Sequence, residues 1–137
     1  MKEFSITIIG IAGAFVSAAL GGWDTALQTL IILMAADYAS GITLAAVFKK
    51  SKHSPNGTLS SSCSWRGLVK KGMQLTLVLI GYRLDVMLGT DFVRMAVIIA
   101  FISSEMISLT ENAGLMGIPI PPALCKALEV LNNKKSP

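Results

Sequence analysis

Apolar residues fall into four long runs separated by polar breaks. Residues 4–22 contain no charge, and residues 25–48 contain one, Asp37. Residues 72–89 carry Arg83 and Asp85, and residues 92–110 carry Arg94 and Glu105. A bilayer core about 30 Å thick needs roughly 20 apolar residues per helix, so each run predicts a membrane-spanning helix. The breaks at Gly21-Gly22-Trp23-Asp24 and Gly89-Thr90-Asp91 are short enough to reverse the chain tightly, which pairs the runs as antiparallel hairpins. The predicted fold class is an all-α membrane protein, one domain of about four transmembrane helices arranged as two hairpins. Residues 49–71 form the loop that joins them, and its stretch Lys49 to Gly67, dominated by Ser, Gly, Pro and Lys, reads as solvated and flexible. Beyond Pro119-Ile120-Pro121-Pro122, the residues Leu124, Ala127, Leu128 and Leu131 recur at helical spacing. They predict a short amphipathic helix over residues 122–131, too short to span and suited to the membrane surface or another subunit.

Charge sharpens this picture. The 137 residues hold 12 Lys+Arg against 8 Asp+Glu, and only 15% are charged, where a soluble domain has about 25%. Six cations, Lys49, Lys50, Lys52, Arg66, Lys70 and Lys71, crowd into the 49–71 loop, which contains no acid. Basic segments stay on the cytoplasmic side, so the loop and both termini are expected inside and the two acidic turns outside. A rival treatment makes the first run a cleaved signal peptide with Val16-Ser17-Ala18 at the cut, leaving three spans. The basic residues form no stripe with aromatics, so no nucleic-acid partner is expected. Two cysteines exclude a disulfide scaffold, and His53 stands alone with neither cysteine at ligand spacing, so no metal is expected. With no phosphate loop, nucleophile elbow or His–carboxylate set, the sequence points to no enzyme and no cofactor.

Charges at mid-bilayer cost at least ~2.5–3.5 kcal/mol each on insertion scales, so they pair or face water. Folding the second hairpin about Gly89 and Thr90 sets Asp85 level with Arg94 and Gln74 level with Glu105. Asp85 and Gln74 are 11 residues apart, as are Arg94 and Glu105, so each pair shares a helix face and both rungs fall on one seam. Lys71 lies level with Ser108, within reach of Glu111 and Asn112. Arg83 points about 200° around the helix from Asp85, which leaves Asp37 as its candidate partner. Without that contact, both would face water or a neighbouring subunit. Asp37, Gln74, Arg83, Asp85, Arg94, Glu105, Ser108, Glu111 and Asn112 form the expected intramembrane polar network, which either ties the hairpin together or lines an aqueous lesion in an assembly. The first run carries a different signal: Gly10, Ala14, Ala18 and Gly22 repeat every four residues, flanked by Gly13, Ser17 and Gly21. Small residues let helix backbones approach closely in lipid, either against Ala35, Ala39 and Gly41 of the second run or against another copy. Homo-oligomerisation within the lipid bilayer is the expected consequence.

Several motifs occur in a fixed order: Asp37-Tyr38-x-x-Gly41, Ser61-Ser62, Gly67-Leu68-x-Lys70-Lys71 and Leu84-Asp85. Glu105-x-x-Ser108-x-x-Glu111-Asn112 and Gly117-x-Pro119-x-Pro121-x-x-Leu124 follow. This series, covering residues 37 to about 131, resembles the phage lysis and toxin-secretion holin family. The chain departs from the family's pattern at Cys63-Ser64-Trp65-Arg66 and at Ser104, where Asn is common. The resemblance implies a non-enzymatic protein of the bacterial inner membrane that oligomerises into lesions. Those lesions would release an endolysin, or at some loci a toxin, without stable binding to that cargo, and so cause host cell lysis. Two rivals fit the same pattern: a small ion-coupled or multidrug-type transporter with Asp37 as proton relay, and an antiholin or other regulatory membrane protein.

Overall fold

The computed structural model describes residues 1–135. Five α-helices follow one another: α1 (Lys2–Ala19), α2 (Thr25–Thr43), α3 (Ser61–Leu88), α4 (Val93–Leu115) and α5 (Pro122–Lys135). A π-helical turn, Leu44–Phe48, continues α2. Asp24 starts α2 by accepting a hydrogen bond from the Leu27 amide at 2.9 Å. Such a cap satisfies an otherwise orphaned donor and is worth ~1 kcal/mol. Leu27, Leu30 and Met34 then place one apolar stripe inward. They meet Val78 of α3, Ile98 and Ile102 of α4, and Leu20 from the α1–α2 turn in a single core.

Helix α4 is central, packing on α2, α3 and α5. Its buried positions include Arg94, Ile98, Ile102, Glu105 and Asn112, spaced to lie along one face. That face is apolar in its middle and polar at both ends. It therefore creates two polar clusters with an apolar plug between them. Gly81 lets α3 come close to α4, since a Cβ there would sit 3.2 Å from the Arg94 Cα.

Among the described residues, three helices are long and apolar enough to cross a membrane: Lys2–Ala19, Thr25–Phe48 and Val93–Leu115. Helix α3 has 28 residues, enough for ~42 Å, but Lys70, Lys71, Arg83 and Asp85 make it more polar. It also begins well upstream of residue 72, so residues 61–71 of the connecting loop are helical, 61–67 of them where the composition suggested flexibility. A tertiary contact accounts for the difference. The Tyr38 hydroxyl donates to the Ser64 carbonyl at 3.3 Å, and Gly67 lies beside the Tyr38 ring.

Helix α1 departs further from expectation. None of its residues is buried, and Gly10 and Gly13 face open space. Ala35 and Ala39, the anticipated counterpart on α2, stay exposed. Helix α2 commits its large side chains to α4, and a face of Gly and Ala gains dispersion contacts only when another backbone comes very close. The tail helix α5 packs beside α4 of its own chain, with Leu131 against the core.

Candidate functional site

The cluster at the loop end is built around one ammonium. Lys71 Nζ of α3 lies 2.9 Å from Asp37 Oδ2 of α2 and 2.8 Å from Glu105 Oε2 of α4. Glu105 is only 4% exposed, so one cation bridges two carboxylates from two other helices in a desolvated setting. Asn112 adds a second layer, donating from Nδ2 to Asp37 Oδ1 at 3.2 Å and to Ser40 Oγ at 2.9 Å. Lys52 reaches in from the loop and donates to Glu111 Oε2 at 2.9 Å and to the Ser108 hydroxyl at 3.0 Å. The loop is thereby strapped to the end of α4.

Above this triad lies a cavity of about 410 Å³ whose walls include Asp37, Lys71, Gln74, Glu105 and Asn112. Gln74 Oε1 and Asn112 Oδ1 are buried with no partner among the described residues. Both face a cavity roomy and polar enough for water, which would satisfy them. At the cavity rim, burial holds the His53 imidazole below its ordinary pKa, and the neighbouring Lys52 and Lys70 charges add to the effect.

The cluster at the opposite end is centred on Arg94. Its guanidinium donates to Asp24 Oδ2 at 2.6 Å, to the Gly22 carbonyl at 2.9 Å and to the Leu20 carbonyl. The α1–α2 turn is thus clamped onto α4. Gly21, at φ +91°, belongs to the same fit, because a Cβ there would lie 2.5 Å from Arg94 Nε. The Arg94 hydrogen bond holds the Asp24 carboxyl below its ordinary value of 3.8. Asp85 completes the cluster from α3. It accepts from the Thr90 hydroxyl at 2.6 Å and from the amides of Val93 and Arg94 at 3.0 and 2.9 Å, capping the first turn of α4.

Several pairings differ from those that depth matching suggested. Asp85 and Arg94 do meet, but through the Arg94 backbone amide, while the guanidinium goes to Asp24. Gln74 and Glu105 border one cavity without a hydrogen bond between them. Lys71 serves Asp37 and Glu105 in place of Glu111 and Asn112, and Lys52 takes Glu111 and Ser108. Arg83 does not reach Asp37. It is exposed on α3 and makes no ion pair among the described residues, because Asp37 sits level with Lys71, roughly 18 Å along the helix from Arg83. Of the small residues, Gly10, Gly13, Ala14 and Ala18 are exposed and Ser17 is half-buried, whereas Gly21 and Gly22 belong to the Arg94 clamp. Gly41 lies on α2 beside Asn112. Lys49, Lys50, Arg66 and Lys70 are exposed.

The Asp24–Arg94 and Lys71–Asp37 pairs join the two hairpins, so depth along the second hairpin alone does not show them. Asp24 and Arg94 adjoin the two short turns, so comparing depths between hairpins would have found them.

The sequence model of the bacteriophage holin family matches residues 14–133. An uncharacterized 14.9 kDa protein in the nagH 3′ region of Clostridium perfringens is 38% identical over 117 residues, which are 84% of this chain and 83% of that protein. An uncharacterized protein of Halalkalibacterium halodurans is 30% identical over 132 residues, 92% of each chain. A protein of Bacillus phage phi105 named a probable holin is 26% identical over 108 residues, 78% of this chain and 74% of its own length. No solved structure matches the chain. The family match runs from the second half of α1 into α5 and takes in every residue of both clusters, so the chain belongs to the bacteriophage holin family.

Proposed function

We propose that this protein acts as a holin, a non-enzymatic membrane protein that oligomerises in the bacterial inner membrane and opens lesions through which an endolysin leaves the cytoplasm. The observation that carries this reading is the Lys71–Asp37–Glu105 triad, sequestered between three helices of a holin-family chain. Its charges are satisfied inside the single chain, yet they are the groups that would gain most from water if the bundle opened. Helix α3 serves as the fourth span in this reading. Lys71 and Asp85 are both paired within the bundle, and Arg83 lies near enough to the end of α3 to reach the interface with its long side chain. Four spans place both termini and the basic loop in the cytoplasm. The free face of α1 supplies the surface for self-association, and the cargo need not bind the protein.

Expression alone and together with a cytoplasmic endolysin tests this. Sudden depolarisation on expression, with culture lysis only when both proteins are present, is the expected result. A transporter would give substrate-dependent flux with the membrane potential intact, and an antiholin would delay lysis by an active holin. Viability with a polarised membrane at good membrane expression would overturn the proposal.

A further inference from the structure

The six cations of the loop and the start of α3 are not equivalent. Lys52 is bound to Glu111, and Lys71 to Asp37 and Glu105. Arg66 and Lys70 also line the cavity, but they are exposed and make no ion pair among the described residues. One helical turn separates them, so they project together. The wall they face is rich in hydroxyls, Ser54, Ser60 and Ser64 among them. Two unpaired cations beside a hydroxyl-lined concavity match the charge and the acceptor-only oxygens of a phosphate group.

What lies along the helix from these cations identifies the kind of phosphate. Val69, Met73, Leu77 and Ile80 of α3 are all exposed, and at about 100° per residue they form one continuous apolar stripe. On the same helical wheel Arg66 and Lys70 fall within about 100° of Val69, on the side to which the stripe extends. Trp65, 66% exposed, lies one turn before Val69 at the end of the stripe, the residue type that settles at the headgroup level. A free phosphate ion has no use for that stripe, whereas a phospholipid needs both parts.

We propose that Arg66 and Lys70 form a binding site for the phosphate of an anionic phospholipid, whose acyl chains run along Val69, Met73, Leu77 and Ile80. This site rests on the membrane-embedded arrangement of the proposed function. It assigns to the unpaired loop cations a defined lipid partner as well as an orientation signal.

The test is native mass spectrometry of the full chain in detergent micelles, titrated with phosphatidylglycerol or phosphatidylcholine. Comparison is with Arg66→Gln/Lys70→Gln and with Lys126→Gln/Lys134→Gln as a control of equal charge loss. Each cation near an anionic surface is worth roughly a factor of five. The first double variant should therefore lose the preference for phosphatidylglycerol by roughly 25-fold, and the control should keep it. Equal preference in all three proteins would overturn the site. So would inorganic phosphate displacing the lipid at equal concentration, which would mark a free-anion site. Lysis in the endolysin assay without lipid preference removes this site alone. Lipid preference without depolarisation removes the lesion reading and leaves the site standing.

Discussion

Lys71 is one cation held between two carboxylates, and the energetics of that arrangement are lopsided. Removing the ammonium strands Asp37 and Glu105 side by side in a desolvated site, and losing one partner of a buried pair costs about 3–5 kcal/mol. Lys71→Ala is therefore expected to lower the stability of the bundle in micelles by that amount, measured as the shift in an unfolding titration. The triple change Lys71→Met, Asp37→Asn and Glu105→Gln should recover most of the loss, since it removes the charges together. At the other end, Asp24 has its carboxyl pKa depressed below 3.8 by Arg94. A depressed acid contributes stability that is present above its unfolded value and lost as pH falls through the folded one. The stability difference between the native chain and Asp24→Asn should be constant at neutral pH and vanish on strong acidification. Because the Asp24 side chain is 44% exposed, added salt should shrink that difference as well.

Among the elements, α1 is the one that the rest of the chain leaves alone. Gly10→Leu/Gly13→Leu is expected to leave the unfolding midpoint of the monomer in dilute micelles unchanged, because no neighbour occupies that space. The same variant should weaken self-association, read by crosslinking or by energy transfer between labelled copies. An equal loss of monomer stability would show that α1 packs within its own chain. The helices themselves were legible in the sequence because apolar length alone sets them. Residues 25–48 needed no tertiary knowledge, and Pro122 correctly marked the start of α5. The early start of α3 was not legible, since it depends on Tyr38 meeting Ser64 across 26 positions. The polar sites were legible as a set of residues and not as pairs. Asp37, Arg94 and Glu105 stand out as charges in apolar runs, but Asp37 and Arg94 find their partners in the other hairpin, and Glu105 finds Lys71 on the stretch of α3 that the sequence assigns to the loop. Depth along one hairpin carries no information about which helix lies beside it.

The whole molecule has its polar groups at two ends of a bundle and its apolar core between them. If lesions form by turning this bundle inside out, the groups of the core seam must change their access to water. Single cysteines at positions 74, 85 and 105, in a background with Cys63 and Cys125 replaced by Ser, can report this. Membrane-impermeant maleimide is expected to label them poorly in a sealed membrane and at least about tenfold faster once the membrane leaks, a change of roughly 1.4 kcal/mol in effective protection. Continued protection in a leaky membrane would make the seam a purely structural device, with the lesion walled by other surfaces such as α1.

The placement of Arg94 and Glu105 on one stiff rod has a mechanical consequence. If α4 slid by one turn, about 5.4 Å, it would draw Arg94 off Asp24 and Glu105 off Lys71 in the same movement. Neither fastening can give way to sliding while the other holds, as with two bolts on a single bar. Sliding through intermediate registers would break both sets of contacts together, which would make such a shift cooperative. Two fastenings that must break together would resist small loads and yield only to one large enough to break both, which is how a threshold behaves.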